Sequence, residues 1–159
     1  MDQPGVPDRP AYAACAWASL FAAMSFYWAL GGMVGVETLG VEIERQARER
    51  DPGLLATTWI TGGLKAAAGL LALALVRPWG RALPRRLLVY LTWATGALFT
   101  LYGLANLVDH ALIVTGAIAV PEGLGATAAR WHLALWDPWW LLGGALFLLT
   151  AHSASHAAN

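Results

Sequence analysis

Four apolar stretches, each about as long as a bilayer is thick, dominate this chain and leave little of it for any other purpose. They run from Tyr12 to Val36, from Leu54 to Val76, from Leu87 to His110 and from Trp131 to Ala151. A helix needs about 20 mostly apolar residues, at about 1.5 Å each, to cover roughly 30 Å of hydrocarbon. The breaks between the stretches are chemically distinct. Residues 37–53 alternate Glu, Arg and Asp before Pro52-Gly53, residues 77–86 hold four Arg and two Pro, and Pro121-Glu122-Gly123 marks the last turn. Only 13% of the residues are charged, against about 25% in a typical soluble domain. The sequence therefore predicts an all-α fold, a four-transmembrane-helix bundle forming a single integral membrane domain over residues 1–159. The Pro-rich residues 1–10 are expected to be an unstructured lead and residues 152–159 a tail. Within the 37–53 loop, Glu44 and Arg48 are spaced for an i,i+4 ion pair on a short solvated helix.

Four spans place both termini on one side. The Arg-rich loop 77–86 marks that side as cytoplasmic by the positive-inside rule, so the loop 37–53 is expected to face outward. The expected location is the inner membrane of a bacterium. Acids and bases cancel at ten each, so nothing in the charge balance calls for a nucleic-acid partner. No Gly-rich phosphate loop, Walker Lys-Ser/Thr, CxxC or G-x-S-x-G occurs. His110, His132, His152 and His156 do not have zinc-ligand spacing, and a metal or haem site would require assembly across helices. No cofactor is expected.

Polar groups inside the apolar stretches carry the functional argument. Counted from the cytoplasmic ends, Lys65 lies at roughly 18 Å, Asp137 and Tyr102 at roughly 22 Å and Asn106 at roughly 28 Å. An ionisable group at mid-membrane costs about 2.5–3.5 kcal/mol on insertion scales, so such groups should face inward and seek each other. Lys65 and Asp137 are expected to interact, directly or through Asn106, Tyr102 or water. Thr95, Phe99, Tyr102, Asn106, Asp109 and His110 recur at helical spacing and are expected to form one inward face, opposite Thr58, Thr61, Gly62, Lys65 and Gly69 of the second stretch. Trp28, Trp59, Trp93, Trp136, Trp139 and Trp140 are numerous enough for several to line the interior, where indole faces stabilise cations.

These residues suit a membrane-embedded enzyme that binds a lipophilic, isoprenoid-like or sterol-like molecule and carries out acid–base isomerisation or cyclisation. Asp137 would be the general acid, Lys65 and Asn106 would tune it, and Tyr102 would relay protons. Trp28, Trp136, Trp139, Trp140, His132, Asp109 and His110 would line the binding site. Other readings of the same residues stand beside this one. Lys65 and Asp137 also suit a counter-charge pair that only fixes helix register in a carrier, accessory or structural protein. Asp137-Pro138 also has the form of a helix N-cap followed by Pro at the first helical position. Asp109, His110 and His132 also suit the membrane interface, and the Trp cluster an aromatic belt. A transporter of four spans would need a homodimer to enclose a path.

The segments Tyr27-Trp28-Ala29-Leu30-Gly31-Gly32, Leu64-Lys65-Ala66-Ala67-Ala68-Gly69, Tyr102-Gly103-Leu104-Ala105-Asn106 and Leu135-Trp136-Asp137-Pro138-Trp139-Trp140-Leu141-Leu142-Gly143-Gly144 together resemble a domain-of-unknown-function family of small four-span bacterial membrane proteins. The resemblance covers about Ala13 to Ala151 and implies a four-helix fold without naming an activity. That family often has His where this chain has Ser25, which puts in doubt any proton-transfer role for the first helix. A looser analogy, to emopamil-binding-type sterol isomerases, rests only on a small helix bundle with membrane-level acids and Trp.

Overall fold

A computed structural model describes residues 8–156. Six α-helices follow one another: α1 (Asp8–Ala29), α2 (Val41–Glu49), α3 (Pro52–Ala74), α4 (Arg85–Val114), α5 (Ala126–Trp131) and α6 (Asp137–His156). A π-helical turn, His132–Trp136, joins α5 to α6 so that Ala126–His156 is one continuous rod. Short 3-10 turns at Val36–Thr38 and Pro78–Ala82 complete the element order. No strand occurs among the described residues, and the fold is all-α as the sequence predicts.

Among the described residues three helices are long and apolar enough to cross a membrane: Pro52–Ala74, Arg85–Val114 and Ala126–His156. The first helix, at 22 residues, is nearly as long as α3, but its Tyr, Trp and Ser residues keep it short of their apolarity. Its boundaries also differ from expectation. It begins at Asp8, inside the expected lead, and stops at Ala29, where Gly31 takes a φ of 102° that helical continuation forbids. The rest of that lead, residues 1–7, lies outside the described residues, as do residues 157–159 of the expected tail. Helix α3 begins two residues before and ends two residues short of the expected 54–76, whereas α4 and the α5–α6 rod extend beyond both predicted ends. Asp51 caps α3 by accepting from the Leu54 amide at 2.8 Å, with Pro52 next to it.

The bundle is built inside out relative to a soluble protein. Leu20, Leu64, Leu98, Leu101 and Leu149 point outward and are more than half exposed, while the helix contacts use small residues. Helix α3 packs on α1, and α4 packs on α6. Beta carbons added to Gly96 or Gly103 of α4 would lie 2.9 Å from the Leu148 amide nitrogen or 3.1 Å from that of Leu141 on α6. Gly143 lies against the Trp17 ring and Gly144 against Thr100. This close backbone approach gains dispersion where lipid removes the hydrophobic drive between helices. Trp17, Phe21, Ala68, Ala72 and Phe147 form the central core, and Ala74, Leu75, Leu88 and Ala154 close the end that carries the Arg-rich turn.

Helix α2 forms a cover at the other end. Glu44 and Arg48 are paired as the sequence predicts, and Arg45 bridges Glu42 and Glu49. The Arg45 guanidinium, then the Gln46 amide, hold the Glu42 carboxyl below its ordinary pKa, and the Arg45 pKa is raised by the same pairing. The amides of Val41 and Glu42 donate to the carbonyls of Leu124 and Gly123 at 3.3 and 2.9 Å. The loops before α2 and before α5 therefore clasp one another over this end of the bundle.

Candidate functional site

Two polar places lie inside the bundle, and the π turn builds the first. Residues five apart lie about 140° apart around an α-helix, and a π turn, whose wider bonds join i to i+5, brings them nearer to one face. His132 and Asp137 are five apart, so the wide turn brings both to one face. Pro138 gives a local reason for it. Proline has no N–H for the residue four before it, and its ring crowds that residue's carbonyl; the wide turn relieves both. Asp137 has helical dihedrals of −68° and −46°. It is therefore not the N-cap that Asp137-Pro138 suggests, and the span is not broken there.

Asp137 is 1% exposed. Its Oδ2 accepts from His110 Nδ1 of α4 at 2.8 Å, and its Oδ1 lies 4.0 Å from His132 Nδ1. The two imidazole rings stack at 4.5 Å with an interplanar angle of 22°. His132 Nε2 lies 3.1 Å from the Leu39 carbonyl. A carbonyl only accepts, so Nε2 carries a proton, and in the neutral imidazole Nδ1 keeps a lone pair on the carboxylate side. Above them Trp136 Nε1 donates to Thr38 Oγ1 at 3.0 Å, and Thr38 in turn donates to the Gly35 carbonyl. The 36–40 turn thus roofs the cluster.

Lys65 marks the second place. It lies on the buried face of α3 with Gly62, Ala68, Gly69 and Ala72, close to the face the sequence predicts. Its ammonium donates to Ser25 Oγ at 2.8 Å and sits 3.6 Å above the Phe21 ring, with the Trp140 ring centroid at 5.7 Å. No carboxylate pairs with it among the described residues. Beside it runs a groove of about 540 Å³ between α3 and α4, with Lys65, Thr61, Thr95, Leu98, Phe99 and Trp140 among its walls. The groove exists because α3 and α4 meet over little of their length.

The structure does not make the expected Lys65–Asp137 pair. The carboxylate turns to the histidines, and the ammonium turns to Ser25 and the aromatic rings. Nor does any hydrogen bond join Asn106 or Tyr102 to either group among the described residues. Asn106 donates to the Tyr102 carbonyl of its own helix at 2.7 Å, and Tyr102 is half exposed with its ring edge on Trp140. Helix α4 buries Thr92, Gly96, Gly103 and His110, which rotates the inward face away from Tyr102 and Asp109; Asp109 is exposed. The glycines set this rotation because only they permit the close approach to α6.

Of the tryptophans, Trp136, Trp139 and Trp140 pack against the central core, and Trp28 meets Trp136 edge-on at 5.8 Å. Trp59 and Trp93 lie outside this cluster, partly exposed, Trp59 against Phe26 and Trp93 donating to Ser155 Oγ at 3.3 Å. Trp17 and Phe21 hold the aromatic cluster together: Trp17 donates to the Trp139 carbonyl at 3.0 Å, and Phe21 stacks on Trp136. Neither Trp17 nor Phe21 is among the predicted site residues, although their four-residue spacing in an apolar helix puts both on one face. The Leu39 and Thr38 contacts join loop to helix across more than 90 residues and leave no local pattern.

A family model described as "Protein of unknown function (DUF3995)" matches residues 18–147, most of the chain, and the chain belongs to that family. No curated protein and no solved structure matches it.

Proposed function

We propose that this member of the family is an integral membrane protein that binds a lipophilic small molecule with one acidic or carbonyl end. The apolar body would lie in the α3–α4 groove, and the polar end would meet Lys65. The observation that carries this reading is the Lys65 ammonium, buried beside an apolar groove without a carboxylate partner among the described residues. An ammonium has three donors. Ser25 takes one and the Phe21 face satisfies part of the rest, which leaves capacity for an anionic or carbonyl oxygen. The groove volume falls in the usual range of about 300–1,000 Å³ for small-molecule sites. Isoprenoid-like and sterol-like amphiphiles fit this description.

The membrane is the inner membrane of a bacterium, with both termini and the Arg-rich segment 77–86 on the cytoplasmic side and α2 outside. This placement takes α1 as a fourth crossing beside the three spanning-length helices; its packing along α3, the outward Leu surface and the positive-inside rule support it. Lys65 also supports a catalytic version of the same site. As the one ionisable group lining the groove, it would supply the proton for an isomerisation or cyclisation in place of Asp137, which does not line it.

The test is mass spectrometry of lipophiles retained by the protein purified in mild detergent. The wild type should retain an amphiphile, and Lys65→Met and the groove-filling Thr95→Trp should each lose it. Equal retention by all three proteins would remove the reading. Conversion of the retained compound by the wild type, abolished in Lys65→Met, would favour catalysis over carriage.

A further inference from the structure

We infer that His110, His132 and Asp137 form a binding site for one divalent transition-metal ion. The site shares no residue with the groove walls, so either assignment can fail without the other. One ligand atom from each of the three residues can be chosen so that all lie within 4.8 Å of one another. Ligands at about 2.0–2.2 Å from zinc lie roughly 3–4 Å apart, so small side-chain rotations close the set.

Three observations make this more than proximity. First, His132 is prepared as a ligand. Its Nε2–H is committed to the Leu39 carbonyl at 3.1 Å, the outer contact that commonly fixes the tautomer of a metal-bound histidine. Second, that contact leaves the Nδ1 lone pair facing a carboxylate oxygen at 4.0 Å. In a low-dielectric interior two such electron-rich atoms are stabilised by a shared cation, a proton or a metal ion, and the second histidine beside them supplies the third ligand that a metal ion uses and a proton does not. Third, the π turn puts His132 and Asp137 on one face, and such turns occur often at functional sites. Two imidazoles and one carboxylate suit zinc, iron(II), cobalt or manganese rather than magnesium or calcium, which prefer oxygen ligands. Metal binding would replace the proton between His110 and Asp137 and leave coordination positions for water or a substrate oxygen. The His132 side chain keeps 21% of its surface exposed, which gives an ion a way in.

The experiment uses the full chain without a polyhistidine tag, in detergent, carrying His152→Asn and His156→Asn. Those two exposed histidines are four apart on α6 with ring centroids at 4.2 Å, and removing them eliminates an adventitious site. Cobalt(II) is titrated and followed by its visible d–d bands, then displaced with zinc. The expected result is one ion per chain, with affinity weakened by about a hundred-fold or more in His132→Gln and in Asp137→Asn, beyond the usual effect of outer-sphere changes. No stoichiometric binding by this parent protein overturns the proposal, and so does unchanged affinity in both variants. If a variant fails to fold, the parent protein still decides: zinc must raise its melting temperature and a chelator must reverse the rise.

Discussion

Asp137 and His110 face each other at 2.8 Å from two different helices, both almost fully buried. The pair locks α4 to the α6 rod near the roofed end of the bundle. A hydrogen bond to a charged group contributes about 1.5–3 kcal/mol. In chelator, a double-mutant cycle of Asp137→Asn and His110→Asn should give a coupling energy in that range from unfolding in mixed micelles. A coupling near zero would mean that the pair does not hold the helices together.

Lys65 should behave in the opposite way. Replacing it with Met removes a costly buried ammonium and leaves no orphan, because Ser25 Oγ still reaches the Phe21 carbonyl at 3.3 Å. Lys65→Met is expected to raise stability by about 1 kcal/mol, read in the same unfolding assay. A loss of stability would show that the aromatic rings and Ser25 more than offset desolvation.

Glycines separate packing from helix propensity. Gly96→Ala places a methyl group 2.9 Å from the Leu148 amide nitrogen and should destabilise by about 1–3 kcal/mol. Gly63→Ala meets no heavy atom within 4 Å and should stabilise by about 0.5–1 kcal/mol. Equal effects at the two sites would argue against the close α4–α6 approach.

Much of the fold was legible because length and apolarity act locally. The spans of α3, α4 and α6 follow from composition, as does the α2 ion pair. The partners of the polar groups were not legible in the same way. Depth along the spans placed Lys65 and Asp137 in one layer, but which way each side chain turns depends on helix rotation. Rotation is fixed by where Gly96, Gly103, Gly143 and Gly144 allow backbones to meet. Asp137-Pro138 reads as a cap because a proline that opens a helix and one that widens a turn within it leave the same residue pair in the sequence. Leu39 acts through its carbonyl, which every residue possesses.

Helix α2 should loosen in acid. The Glu42 carboxyl titrates below its ordinary value of 4.5 because it is paired with Arg45 and Gln46. A depressed folded-state pKa gives stability that is present above 4.5 and lost as pH falls through the folded value. Amide exchange in Val41–Glu49, compared after correction for intrinsic pH effects, should lose protection below about pH 4.5 while α4 retains its own. Glu42→Gln should reduce that pH dependence, with the Glu44–Arg48 and Glu49–Arg45 pairs left in place.

Topology has a direct readout. Cys15 is the chain's single cysteine, so a Cys15→Ser background permits single labels. Arg81→Cys should react with an impermeant maleimide only after the cytoplasmic face is opened, and Glu44→Cys should react in intact spheroplasts. Labelling of both from the same side would overturn the proposed orientation.

The thin seam between α3 and α4 lies between two tightly packed pairs, α1 with α3 and α4 with α6, which stay joined along the α1–α6 core of Trp17 and Phe147. Pairs that hinge apart at this seam would open sideways, into the acyl chains. A hydrophobic guest could then enter and leave without passing through water, at a rate governed by bilayer order and lateral pressure rather than by its aqueous solubility.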